Sequence, residues 1–261
     1  MSTTTLTAPI RVNTAGVHTR PGLGRLVTVE LRKMADTRAG FWLQVAMVAL
    51  TVIVVVVRLL VGEAGHHTFQ SVLDVGLQPA AVLLPVLGIL LVTSEWSQRT
   101  GLITFTLVPV RSRVLAAKLI ASLLAAVAML AMSVAVVAAG VLVSSPGVTG
   151  TWTDAAPLIA QSAVYLTSGM LVGVAFGAIL LASTPAIVLR FALPTAWMAV
   201  LSLPVFSDVG PWVDNARALG QMTAEVMSAT QWAHAGTSLA IWMVLPLLIG
   251  AWRITRREIA S

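Results

Sequence analysis

The chain has 261 residues, of which 57% are hydrophobic and only 10% are charged, and its mean hydropathy is +0.92. Soluble domains carry about a quarter charged residues, so this composition excludes an ordinary soluble protein and predicts an integral membrane protein. The absence of cysteine excludes disulfides and thiolate metal sites. The formal charge of +6 does not indicate nucleic-acid binding, because the basic residues fall in alternate gaps between apolar runs rather than in one basic domain.

The N-terminal segment is polar and rich in threonine, and it lacks the apolar core of a secretory signal. We predict that residues 1–22 form a disordered cytoplasmic tail and that residues 23–261 form a single transmembrane domain. Within 23–38, apolar residues recur at helical spacing while Arg25 and Arg32 occupy the other face. This pattern predicts an amphipathic elbow helix that lies in the inner membrane interface and leads into the first span.

Six apolar runs reach or approach the roughly 20 residues that a transmembrane helix needs. The predicted fold is therefore an all-α integral membrane bundle of six spans. They cover about 41–61, 73–94, 114–143, 157–182, 186–206 and 237–252. Ser183, Thr184 and Pro185 are expected to form a tight hairpin between the fourth and fifth spans, with Arg190 snorkelling to the inner surface.

The distribution of charge predicts the orientation of the bundle. With both termini cytoplasmic, 14 of the 16 basic residues lie inside, and only Arg58 and Arg217 lie toward the outside. The predicted location is a multi-pass position in the cell membrane. Outside the membrane, 209–230 has one weakly apolar face and is expected to form an external helix on the outer leaflet.

The loop 95–118 combines basic residues with an apolar middle, Leu102 to Val108, that a mere connector would not need. We interpret it as a docking element at the inner face of the membrane. The chain contains no G-x-x-x-x-G-K-[ST] loop for binding nucleotide phosphates. The energy for any transport would therefore come from a partner, and the chain itself is expected not to be an enzyme.

Ionisable residues inside the spans are scarce. Arg58 and Asp74 lie near the outer ends of the first two spans and could form an ion pair, which would be a relay, a substrate site or a purely structural contact. No histidine falls inside a span, so no haem or metal ligand set and no base for a nucleophilic serine is expected there. Gly169, Gly173 and Gly177 form a small-residue stripe for close helix packing, within one subunit or between two.

The order of these parts resembles the permease subunits of ABC-2-type transporters. The resemblance covers about 23–261. It is most specific in the ELRKMADTRAGFW segment (30–42) and in the EWSQRTG segment (95–101), which continues to Lys118. It implies an exporter that moves an amphipathic or lipid-like substrate outward. The chain would pair with a second permease subunit, the same or different, and with separate ATP-binding subunits that carry ATP and Mg²⁺, while binding no cofactor itself.

The resemblance also implies which residues couple the permease to its ATPase. The end of the second span and the start of the coupling segment would be supplied by Glu95, Arg99, Thr100 and Gly101. Apolar contact would come from Leu102, Ile103, Phe105 and Leu107, with Arg111, Arg113 and Lys118 near the ATPase or the lipid headgroups. The chain departs from some relatives in having neither a fused ATPase domain nor a large extracellular domain.

Two other functions remain open from the residues alone. A non-transport membrane scaffold or immunity-type protein would share this topology and need no ATPase. A membrane enzyme, such as an intramembrane protease, would need an acid–base pair at membrane depth that the spans do not offer.

Overall fold

A computed structural model describes residues 22–61, 67–97 and 111–256, with the backbone alone at positions 96, 97, 111, 255 and 256. Within these ranges the chain is helical, with short turns and no strand. The first six helices are α1 (Leu23–Asp36), α2 (Arg38–Val61), α3 (Phe69–Ser97), α4 (Arg111–Ser144), α5 (Ala155–Leu180) and α6 (Ser183–Leu201). A 3₁₀ turn (Pro204–Phe206) leads to α7 (Gly210–Val213), α8 (Asn215–Gly220), α9 (Ala229–Leu239), a π-helical turn (Ala240–Val244) and α10 (Leu245–Arg256).

Within the described ranges, six helical segments are long and apolar enough to cross a membrane, and this is the number of spans that the sequence predicts. They are α2, α3, α4, α5, α6 and the continuous segment made by α9, the π-helical turn and α10. The predicted segment before the first span is confirmed as a helix, α1, and it ends at Asp36. The predicted N-terminal tail, 1–22, lies almost wholly outside the described residues.

The boundaries of the last two spans differ from the prediction. The fifth stops at Leu201 instead of 206, because Pro204 opens a separate 3₁₀ turn. The sixth starts at Ala229 instead of 237, because Ser228 and Gln231 form a reciprocal capping box that begins the helix earlier.

The connection between α5 and α6 is shorter than predicted. Leu181 adopts a left-handed conformation with φ 54°, and Ala182 alone separates it from the first residue of α6. Ser183, Thr184 and Pro185, the predicted hairpin, form the first turn of α6. Proline is tolerated there because its missing N–H would have no helical partner.

Helices α3 and α5 form the centre of the bundle. Of their most apolar stretches, 61% and 56% are buried, whereas the corresponding values are 17% for α2 and 11% for α6. Helix α1 packs mainly on α4 and also contacts α2 and α3. We call the end of the bundle that carries α1 the α1 end, and the end that carries α7 and α8 the far end.

The segment between α6 and α9 does not form the single helix predicted for 209–230. The chain breaks at Asp214, whose carboxylate caps α8 by accepting hydrogen bonds from the backbone N–H groups of Ala216 (2.9 Å) and Arg217 (3.4 Å). The side chain of an aspartate is short, so it can compete for backbone N–H groups in this way. The competition explains why this segment forms the separate helices α7 and α8 instead of a single helix.

Candidate functional site

Four charged side chains from three helices meet at the α1 end, and we call them the charge cluster: Glu30 and Lys33 of α1, Glu95 of α3 and Lys118 of α4. Lys118 Nζ lies 2.7 Å from Glu30 Oε2 and 3.1 Å from Glu95 Oε1. Lys33 Nζ lies 2.7 Å from Glu30 Oε1 and also 2.7 Å from Glu95 Oε1. The two acids and two bases therefore form a closed ring of ion pairs without net charge.

The sequence of α1 directs two members of the cluster toward the bundle. Glu30 and Lys33 are three residues apart, so they lie on the same side of the helix. Val27 and Met34 are buried on this side, whereas Arg32 is exposed. The amphipathic helix thus has a bundle-facing side that carries charge as well as hydrocarbon.

Three members of the charge cluster are almost completely buried. The side chains of Glu30, Glu95 and Lys118 are 5%, 6% and 5% exposed, whereas Lys33 is 35% exposed. Removing a charge from water costs several kcal/mol per ion unless it is paired and hydrogen-bonded. The Lys118 ammonium meets this condition, because the backbone carbonyl of Leu91 at 3.0 Å adds a third acceptor to its two carboxylates.

The electrostatics of the cluster hold Lys33 in its charged form. Burial by itself would lower the pKa of Lys33. Hydrogen bonds and charge attraction from Glu30 and Glu95 outweigh that effect and raise the pKa above its ordinary value of 10.5. At neutral pH the Lys33 side chain is therefore positively charged.

The charge cluster joins the two helices that flank residues 98–110 in the sequence. Glu95 lies near the end of α3 and Lys118 near the beginning of α4, on either side of residues 98–110. Their contact brings together residues 23 positions apart, and Glu30 and Lys33 tie both to α1. A force applied to 98–110 would therefore reach α1, α3 and α4 together.

The structure describes some of the predicted coupling residues. Glu95 is buried and belongs to the charge cluster. Arg113 is half-buried on the first turn of α4, and Arg111 begins that helix. The remaining predicted residues lie outside the described ranges: Arg99, Thr100, Gly101, Leu102, Ile103, Phe105 and Leu107. Lys118, expected near the ATPase or the headgroups, lies instead inside the cluster.

The candidate pair Arg58–Asp74 is not among the ion pairs that the described residues form. Asp74 Oδ1 instead accepts a hydrogen bond of 2.6 Å from Thr223 Oγ1, in the turn between α8 and α9. This hydrogen bond therefore joins the turn between α8 and α9 to α3.

The predicted glycine stripe packs within the chain, against α3. A Cβ added to Gly173 would overlap the backbone carbonyl of Pro85, and one added to Gly177 would lie 3.1 Å from the carbonyl oxygen of Ile89. At Gly169 the nearest atom would be Pro85 Cγ at 3.8 Å, an ordinary contact. The close approach of α3 and α5 thus depends on Gly173 and Gly177 rather than on the whole stripe.

Gln161 of α5 joins the turn between α8 and α9 to the bundle. Its amide nitrogen donates to the carbonyls of Met222 (3.1 Å) and Glu225 (2.7 Å), and its amide oxygen accepts from the N–H of Met227 at 2.9 Å. One buried side chain therefore satisfies three backbone groups of a turn that has few helical hydrogen bonds.

Arg190, for which the sequence predicts snorkelling to the inner surface, is half-buried on α6. Its Nε is shielded from solvent and has no hydrogen-bond partner among the described residues, and its guanidinium lies 5.7 Å from the ring centroid of Phe191. The predicted snorkelling of Arg190 to the inner surface stays a prediction.

The sequence also contains a signal for the charge cluster. Lys33 and Lys118 are the only lysines of the chain, and each lies beside apolar positions that the helical period places on a buried face. Glu30 occupies the apolar side of α1 in the same way. Charged residues on buried faces must find partners, and this condition pairs two lysines with two glutamates.

Within the described ranges no group of three or more histidine and acidic side chains could hold a metal ion. The described fold and site define a multi-pass helical membrane protein whose helices α1, α3 and α4 are joined by a buried ring of charges. Comparisons with models of known protein families and with curated protein sequences find no match to this chain.

Proposed function

We propose that the chain is the membrane-spanning permease subunit of an ATP-driven exporter of the ABC-2 type, and that a separate ATPase docks on the cytoplasmic loop 95–118. One observation supports this proposal above the others. The two ends of the loop are bonded to each other and to α1 through the charge cluster. Because both ends of the docking segment are bonded in this way, a displacement of the segment would move the helices of the bundle.

The path of that displacement leads to the centre of the protein. Helix α3 carries Glu95 and packs along α5 through Gly88, where an added Cβ would lie 2.6 Å from the carbonyl oxygen of Met170. Helices packed this closely shift as rigid bodies, because interiors have little free volume to absorb strain. Movement of the loop would therefore reposition α3 and α5 as well as α4.

The proposed orientation puts both termini and the α1 end in the cytoplasm. The positive-inside rule supports this, and α1 would then be the elbow helix at the inner interface. Its exposed Arg25 and Arg32 would face headgroups while Val27 and Met34 pack on the bundle. A second permease subunit would complete the transporter, and ATP and Mg²⁺ would bind to the ATPase.

The test is capture of the ATPase by the intact chain in mild detergent. A tagged protein purified from its own membranes should retain a P-loop ATP-binding protein and show ATP hydrolysis that the chain alone lacks. Phe105→Asp or Leu107→Asp should abolish this association, because an aspartate cannot enter an apolar contact. Thr106→Asp adds the same charge between them at a polar position and should weaken association far less.

Two results would contradict the proposal. If no ATP-binding protein is retained, the chain is a scaffold or another non-transport protein. If the complex survives both apolar-to-aspartate changes, the contact lies elsewhere on the chain.

A further inference from the structure

A groove of about 430 Å³ lies between α1, α2, α3 and α4. Leu84 and Leu87 of α3 are almost completely buried and form its floor, while residues of α2 and α4 form its walls. Leu124, Ala128 and Met132 on the α4 wall are exposed. The groove therefore opens on the surface of the bundle.

The helices that form the groove are in close contact farther along. A Cβ added to Gly76 of α3 would lie 2.7 Å from Val137 Cγ2 of α4, and one added to Gly140 of α4 would lie 3.0 Å from Val55 Cγ1 of α2. The parts of α2, α3 and α4 that line the groove contain no glycine. The three helices thus pack tightly toward the far end and enclose the groove toward the α1 end.

The lining of the groove is apolar and rich in methionine. Its one polar side chain is Gln44, whose amide nitrogen donates to the carbonyls of Met34 (3.1 Å) and Gly40 (3.2 Å). Water is therefore a poor occupant, because an apolar cavity offers it too few hydrogen-bond partners. Methionine side chains are flexible and adapt to apolar ligands of variable shape. Four of the ten methionines of the chain line the groove: Met34, Met47, Met129 and Met132.

The volume of the groove selects a thin occupant. A single turn of an α-helix, about 10–12 Å across with a pitch of about 5.4 Å, would fill the groove by itself. A transmembrane helix of another subunit is therefore too thick to lie along it, whereas an acyl chain is long and narrow. Helices α2 and α4 are long and apolar enough to cross a membrane, and both expose hydrocarbon on their outer faces. The molecules beside the groove in a membrane are therefore lipids.

Exposed charge at the α1 end favours an acidic lipid. Arg25 and Arg32 of α1 and Arg38 at the start of α2 are exposed, and Asp36 is the one exposed acid of this stretch. Gln44 bonds to carbonyls that precede and follow Arg38 in the sequence, so Arg38 lies beside the α1 end of the groove. A basic side chain near the membrane surface strengthens the binding of an acidic lipid about fivefold.

We propose that the groove binds one acyl chain of an acidic phospholipid, whose headgroup lies over Arg38 and the exposed side of α1. Burial of hydrocarbon supplies the affinity, and the arginine supplies the preference for a charged headgroup. The bound chain fills the space between α2 and α4 and contacts Leu31 and Met34 of α1. This site does not depend on the proposed transport function.

The test is lipid binding to the purified full-length chain, measured by native mass spectrometry without any ATPase. Dipalmitoyl phosphatidylglycerol should be retained far better than the dihexanoyl lipid, because each methylene buried in the groove strengthens binding about fourfold. Dipalmitoyl phosphatidylcholine should bind about fivefold more weakly than the glycerol lipid. Arg38→Gln should reduce this headgroup preference, whereas Arg58→Gln, near the other end of α2, should leave it unchanged.

Filling the groove tests its position. Ala128→Phe places a ring at the open edge of the groove and should weaken retention of dipalmitoyl phosphatidylglycerol by about tenfold or more, as expected when two methylenes are displaced. Ala131→Phe makes the same change at an exposed position of α4 outside the lining, and it should leave retention unchanged. The unfolding temperature of each variant shows whether it is folded.

Several results would overturn the inference. One is a wild-type chain that retains the dipalmitoyl and dihexanoyl lipids equally, a result that needs no variant and indicates a headgroup site alone. Equal binding of the two headgroups would contradict the role of Arg38. A folded Ala128→Phe protein that keeps full retention would place the lipid elsewhere. If Ala128→Phe separates a dimer and the wild type retains no phospholipid, a second copy of the chain covers the groove.

Discussion

Glu95 and Lys118 are joined by a contact of 3.1 Å although 22 residues separate them along the chain, and both also contact residues of α1. Lys118→Met should therefore leave two buried carboxylates sharing Lys33 as their one remaining base in the charge cluster. Removing one member of a buried ion pair costs about 3–5 kcal/mol. The unfolding temperature in detergent should fall accordingly. Arg113→Met removes a half-buried base of the same helix that belongs to no described ion pair, and it should change that temperature little.

The ring of ion pairs makes the effects of its members interdependent. Replacing Glu30 by Gln and Lys118 by Met together should cost clearly less than the sum of the two single changes, because each single change leaves an unmatched charge. Thermal unfolding of the four proteins forms a double-mutant cycle. Additive changes would mean that the two residues do not interact in the membrane-embedded protein.

The contribution of Lys33 should depend on pH at the alkaline end only. Its folded pKa is raised above 10.5, so its contribution to stability is complete below 10.5 and is lost as pH rises through the folded pKa. The difference in unfolding temperature between wild type and Lys33→Met should stay constant from neutral pH to about 10 and then shrink. It should be modest throughout, because Lys33 is partly exposed and solvent screens it. Loss of the difference between pH 6 and 9 would contradict this assignment.

The stripe of glycines on α5 offers a comparison of two identical changes. Gly173→Ala places a methyl group against the Pro85 carbonyl and should force α3 and α5 apart, at a cost of about 1–3 kcal/mol. Gly169→Ala adds the same methyl group where the nearest atom lies 3.8 Å away, and it should be neutral or slightly stabilising because alanine favours helix. Equal effects of the two changes on thermal stability would argue against the described packing.

Gln161 should hold the far-end turn in place. Gln161→Leu removes three hydrogen bonds and leaves the Met222 and Glu225 carbonyls and the Met227 N–H without that partner. Each lost bond should cost about 1 kcal/mol. Limited proteolysis should then cut 221–228 much faster. Gln78→Leu removes an amide that bonds only to its own helix, at Asp74, and should leave the cleavage rate unchanged.

The sequence predicted the spans well because each is a long apolar run, and such a signal is local. It predicted helix ends less well, since Leu181, Ser228 and Asp214 set them by backbone geometry and capping rather than by hydropathy. The charge cluster was missed because it joins Glu30 to Lys118, 88 positions away. A basic residue next to a span was interpreted from topology alone, and only packing reveals whether it faces solvent or a buried acid.

The charge cluster contains every lysine of the chain, and this has a practical consequence. An amine-reactive reagent applied to the intact protein meets just two lysine side chains, one 35% exposed at Lys33 and one 5% exposed at Lys118. Labelling of Lys118 therefore requires the ring to open. The rate at which Lys118 is modified therefore measures how often α1, α3 and α4 separate.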